Sequence, residues 1–221
     1  DSVVNLVAAV VALLALRETA HPPTAAELGG YLHALIRHRF FDLAYYTWLQ
    51  FLPPARLQAV TFPFNGGFEH MPSGLPFDWV IPKGLGVSAG VVARGDAPNA
   101  RALAIEFGVG RVEFAGVSQT ILLPAGSYRF EAAYRGQISG RRGLLWQLAC
   151  LDEARTQLGA TPMMLGTTTQ WKAIEFDFVV PERGCPAQAL CLRHDARTPS
   201  EQLATGRSFH DDVKITRLDR P

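Results

Sequence analysis

The chain has 221 residues, 48% hydrophobic and 19% charged, which supplies a sizeable core and excludes a disordered polypeptide. Its 21 basic and 20 acidic residues leave a net charge of +1, with no basic run or aromatic-basic stripe. There is thus no electrostatic case for nucleic acid as a partner.

The first residue is Asp1 rather than Met, so a processed chain or a fragment is expected, with any targeting signal upstream. The apolar run "VVNLVAAVVALLAL" is shorter than the ~20 residues that span a bilayer, and Asn5 interrupts it. It reads as a buried helix, and no membrane span is expected within the chain. After two prolines, Thr24 and Glu27 have the spacing of a capping box, and Leu28, Tyr31, Leu32, Leu35 and Ile36 mark one apolar helical face. The aromatic-rich "FFDLAYYTWLQFLPP" gives a third helix, stopped by Pro53 and Pro54. Tyr45, Tyr46 and Trp48 on it read as packing residues rather than a ligand site. Residues 1–60 are therefore expected to form a three-helix segment. It resembles the end of a helical-repeat array and offers a surface for a protein partner.

Beyond Pro63 the hydrophobic period becomes two. Leu103, Ile105 and Phe107 alternate with Ala102, Ala104 and Glu106; Tyr128, Phe130, Ala132 and Tyr134 alternate with Arg129, Glu131 and Arg135. Ile174, Phe176 and Phe178 oppose Glu175 and Asp177, and Leu190 and Leu192 oppose Cys191 and Arg193. Such alternation, punctuated by "PAGS", "ISGRRG" and "PERGCP", indicates antiparallel sheets with one wet face. The fold class expected is mainly β: a two-sheet antiparallel sandwich over 61–221, preceded by the small α-helical segment. Among the cysteines, Cys185 and Cys191 are close enough in sequence to pair in an oxidising compartment. The plainer expectation is buried free thiols, with Cys150 acting as a small apolar residue.

No catalytic constellation stands out. No serine lies in a Gly-x-Ser-x-Gly elbow, the six histidines lack His-Glu-x-x-His spacing, and "KGLGVSAG" lacks the pattern of a phosphate loop. His194 beside Asp195 and His210 beside Asp211 are strand neighbours that point to opposite faces, so neither is a dyad. A non-catalytic protein is expected.

An ordered set of motifs carries a family resemblance: "NGGFE" (65–69), "LPFDWVI" (75–81), "SQTILLPAGSYRFEAAYRG" (118–136), "TQWKAIEFDFVVP" (169–181) and "ATGRSFHDDVKI" (204–215). Together they make residues 61–218 resemble the jelly-roll carbohydrate-binding modules of the galactose-binding-like superfamily. By that resemblance 65–69 is the first strand, 118–136 a central pair of strands joined by a Pro-x-Gly turn, and 204–215 the closing strand. Trp79 and Trp171 then fall at packing positions. The resemblance also implies a structural Ca²⁺ between the first and last strands, held by Glu69, carbonyls near Gly67 and one acid of the Asp211–Asp212 pair; Asp212 is the one favoured here. The implied activity is recognition of a polysaccharide or oligosaccharide in the cell envelope or outside the cell. The binding residues expected are Arg135, Gln147 and Arg193, with Trp146 as a stacking platform, although Trp146 faces the core if Gln147 faces water. The polar loop 165–170 would reach the rim. The competing expectation is a structural or protein-interaction module that keeps the fold and has no sugar site, with a glycan-active hydrolase or lyase as a third, less favoured one.

Overall fold

A computed structural model describes the backbone of residues 2–218 and the side chains of 8–218. Helix α1 (Ser2–Arg17) is followed by α2 (Ala25–Arg37) and α3 (Phe41–Gln50). The capping box at the start of α2 forms as the spacing predicts. The Thr24 hydroxyl accepts from the Glu27 N–H at 3.2 Å, and the Glu27 carboxylate accepts from the Thr24 N–H at 2.8 Å. A short fourth helix, α4 (Pro54–Gln58), was not expected; Pro54 opens it, where a missing N–H costs nothing. None of the described helices is long and apolar enough to cross a membrane. Leu28, Leu32 and Leu35 of α2 and Ala44 and Trp48 of α3 are buried together with Phe64 and Phe77, which lie beyond the helices. The helical segment is thereby fastened to the following body by a shared apolar cluster.

Among the described residues the body holds nine strands: β1 (Val87–Ala93), β2 (Arg101–Phe107), β3 (Val117–Ile121), β4 (Gly126–Gly140), β5 (Leu144–Cys150), β6 (Gln157–Ala160), β7 (Gly166–Val180), β8 (Gln188–His194) and β9 (Ala204–Arg217). They form two antiparallel sheets, β1-β2-β9-β4-β7 and β3-β8-β5-β6. The alternation read from the sequence decides which side chains lie between them: Leu103, Ile105, Phe130, Trp146, Leu148, Leu190 and Leu192 are all fully buried there. The described chain is therefore a two-sheet jelly-roll sandwich with a small helical segment in front.

Three expectations about local structure need correcting. The stretch 118–136 is no hairpin, because β3 pairs with β8 in one sheet and β4 with β7 and β9 in the other. Its Pro-x-Gly turn carries the chain across the sandwich. The stretch 65–69 lies beside β9 but is a turn rather than a strand, with Asn65 and Phe68 at positive φ. Contact is close all the same: the Val213 N–H donates to Gly66 O at 3.0 Å and the Ile215 N–H to Phe62 O at 2.7 Å. A Cβ on Gly66 would fall 1.9 Å from Val213 O, so only glycine fits. Finally, the thiols are not all free. Cys150, the last residue of β5, is joined to Cys185, with a Cα–Cα distance of 5.2 Å. Cys191 lies mid-strand in β8 with its side chain outward, so the Cys185–Cys191 pairing that the spacing allowed does not form. Burial, partly offset by Arg193, pushes the Cys191 thiol up to about 11.

Candidate functional site on the outer face of the five-stranded sheet

The outer face of this sheet is crossed by the loop that joins β1 to β2. Arg94 reaches over β9, where its Nη1 donates to Asp211 Oδ2 at 2.7 Å. Its carbonyl accepts from Arg135 Nη2 on β4 at 2.8 Å. Asp96 extends the strap to β7, accepting from Trp171 Nε1 at 2.7 Å and facing Arg135 Nη1 at 3.3 Å. Hydrogen bonds from Arg94 and then Trp171 hold the Asp96 carboxyl well below the usual carboxylate range. Beneath the strap, the small residues Ala102 and Ala104 keep the floor low.

Cations and rings alternate beside it. Arg94 lies 4.5 Å and Arg135 4.8 Å from the Trp171 ring, and Arg135 and Arg207 lie 5.4 and 4.8 Å from the Phe209 ring. Each contact places a guanidinium against the electron-rich face of an aromatic ring. Next to this ladder, Arg135, Gly136, Gln137, Thr167–Thr169 and Phe209 line a recess of about 330 Å³. The arrangement offers guanidinium, amide and hydroxyl groups around one partly exposed ring. Among the described residues, no carboxylate or imidazole lines the recess.

The four expected binding residues do not form one site. Arg135 lies on the face just described. Gln147 and Arg193 lie on the outer face of the four-stranded sheet, on the far side of the sandwich, where Arg193 Nε donates to Gln147 Oε1 at 2.5 Å. Arg193 also pairs with the buried Asp195, which Arg142 contacts too. Trp146 is fully buried among Trp79, Phe130 and His210 and is no stacking platform. The reason is the strand alternation itself: with Gln147 outward, its neighbour points in. Trp79 is core as expected, whereas Trp171, expected in the core, stands on the outer face in the ladder. The stretch 165–170, expected as a loop, is instead the start of β7 from Gly166 on, and its threonines line the recess. Sequence reading missed Gln137 and Phe209. Both occupy outward positions in alternating strands, and that parity was the available signal.

The corner where 65–69 meets β9 does not assemble as the calcium site expected there. A β-bulge places Asp212 at positive φ with its side chain exposed, and Asp211 is the buried acid instead, covered on the outer face by Arg94. Both Asp211 oxygens are engaged, Oδ2 by Arg94 and Oδ1 by the Asp212 N–H at 2.7 Å. Burial outweighs the Arg94 pairing and pushes the Asp211 carboxyl up to about 6. Gly67 lies close by, since a Cβ there would be 3.9 Å from Asp211 Oδ1, while Glu69 only accepts from the Arg101 N–H at 3.5 Å. No group of three or more His, Cys, Asp or Glu gathers to hold a metal among the described residues. Calcium takes six to eight oxygen ligands, and the one buried carboxylate here is already charge-paired with an arginine. The donor set does not fit the ion.

Sheets and recess together define a class, a two-sheet jelly-roll sandwich with a polar recess on one outer face. No protein family and no curated protein matches the sequence. Similar solved structures include the CBM22-1–GH10 modules of Clostridium thermocellum xylanase 10B complexed with xylohexaose (17% identity, 69% of this chain and 28% of that one, TM-score 0.47). They also include the CBM22-1 xylan-binding domain of Paenibacillus barcinonensis Xyn10C (13% identity, 65% and 87%, TM-score 0.43). A third is the enzymatically active domain of tailspike protein 4 from bacteriophage CBA120 (14% identity, 70% and 21%, TM-score 0.46). The chain thus aligns with about a quarter of the xylanase structure and most of the isolated xylan-binding domain.

Proposed function

We propose that this protein is a non-catalytic saccharide-binding module whose site is the recess beside Phe209. The observation that carries the reading is the recess lining: one partly exposed ring bordered by Arg135, Gln137 and three threonines. A sugar presents an apolar C–H face and a rim of hydroxyls, and this lining complements both. The cations beside the recess are offset, Arg135 by Asp96 and Arg207 by Glu106, which favours a neutral glycan over an acidic one. The Cys150–Cys185 disulfide supports a location in the cell envelope or outside the cell.

The test is isothermal titration with neutral oligosaccharides against wild type and the Arg135→Ala and Gln137→Ala variants. We expect a tenfold or larger loss of affinity in each variant, about 1.4 kcal/mol or more. Binding that both variants retain in full would move the site elsewhere. A second reading, a protein-interaction module without a sugar site, is favoured by the guanidinium groups that cover both rings of the ladder. The exposed Val11 and Leu16 of α1 likewise favour a protein contact for the helical segment. A stable dimer that binds no glycan would support that reading.

A further inference from the structure

Where the helices meet the sandwich, a cleft of about 380 Å³ opens between α3 and the turns at Leu123 and Pro186. This is the lower end of the range typical of small-molecule sites, about 300–1,000 Å³. Three of its residues, Asp42, Tyr45 and Tyr46, are spaced three and four apart and so share one side of α3. Tyr45 spends its ring on the protein: Phe62 stacks on it at 6.4 Å, and Phe77 and Trp48 lie at 5.3 and 5.7 Å. Tyr46 does not. It is 63% exposed, its described ring contact is the edge of Tyr45 at 6.0 Å, and no cation lies over it among the described residues. Asp42 likewise forms no ion pair among the described residues, and neither group is consumed by the fold.

We infer that this cleft is a second saccharide site, in which Tyr46 supplies the stacking platform and Asp42 accepts hydroxyl hydrogen bonds. One free flat ring suits the apolar face of a pyranose. A cationic ligand would need several rings turned toward it, and here the others face one another. The carboxylate accepts from two neighbouring hydroxyls through its two oxygens. The apolar wall at Leu123 and Pro186 excludes water from the ligand's far side. The helical segment is then half of a binding site rather than a connector, and the inference holds whether or not the sheet-face recess binds.

The experiment is ¹H–¹⁵N NMR titration of the full chain with cellohexaose, xylohexaose and mannohexaose, alongside Tyr46→Ala and Asp42→Asn. Because Asp42 also lies in the first turn of α3, where a carboxylate favours the helix, each variant is first shown by circular dichroism to melt like wild type. At least one sugar is expected to shift the α3 amides, with affinity falling tenfold or more in Tyr46→Ala and severalfold in Asp42→Asn. Tyr46→Phe, which keeps the ring, should retain binding. Shifts confined to β4, β7 and β9 would overturn this site while supporting the recess. Unshifted α3 amides with all three sugars, or shifts produced by tetramethylammonium instead, would overturn it as well.

Discussion

Trp146 and Trp171 are the same residue in two regions of one sandwich, and they are held by different forces. Trp146 faces the space between the sheets, fully buried against Trp79, Phe130 and His210. Its indole N–H is left without a hydrogen-bond partner, and so is Nδ1 of His210, whose imidazole burial pushes down to about 3. Trp171 stands on the outer face with two guanidinium groups against its ring and its N–H bonded to Asp96. Inside, apolar burial outweighs an unmet polar atom; outside, where the ring is only partly buried, charge and hydrogen bonding help to hold it. The jelly roll is thus built by hydrophobic transfer, and its decorated face by electrostatics.

That contrast breaks most visibly at Trp146. Trp146→Ala removes one of the two indoles of the sandwich core, the other being Trp79, and should cost about 3–5 kcal/mol in urea denaturation. A loss under 1 kcal/mol would mean that the space between the sheets is not close-packed. Next in size is Arg94→Ala. It strands the buried Asp211 carboxylate and cuts the strap from β9, and should cost about 2–4 kcal/mol. In the same measurement, EDTA and Ca²⁺ should each leave the wild-type midpoint unchanged. A calcium-dependent rise would show that an ion, not Arg94, carries the charge at that corner.

How much of this was legible in the sequence follows the same divide. Period-two alternation placed Leu103, Phe130, Ile174 and Leu192 inward, because a strand leaves a side chain only two directions. The capping box of α2 was legible because it is closed by residues three apart. What was not legible depends on pairs remote in sequence. Cys150 and Cys185 are brought together only by the return of the chain beside β5, so free thiols were the plainer expectation. The bulge in β9 exchanged the roles of Asp211 and Asp212, since one extra residue reverses the direction of those that follow. Arg135, Gln147 and Arg193 all read as outward-facing, and all are. Which outer face each belonged to was fixed by strand order, which alternation does not encode.

The smallest predicted effect is the sharpest test of the comparison. Trp171→Ala takes away a ring of the same size as that of Trp146, yet opens no internal cavity, because the ring lies partly buried at the surface rather than between the sheets. What it loses is two cation–π contacts, each worth about 0.5–1 kcal/mol at an exposed site, and one hydrogen bond to Asp96, whose carboxylate stays paired with Arg94 and Arg135. We expect a cost of about 1–2 kcal/mol, and one that shrinks in high salt as the remaining arginine–aspartate pairs are screened. Trp146→Ala should show no such salt dependence, because nothing charged is lost with it. If the two variants proved equally costly and equally indifferent to salt, the outer ladder would be an extension of the core. The strap would then be packed rather than charge-held, with Arg135 part of that packing.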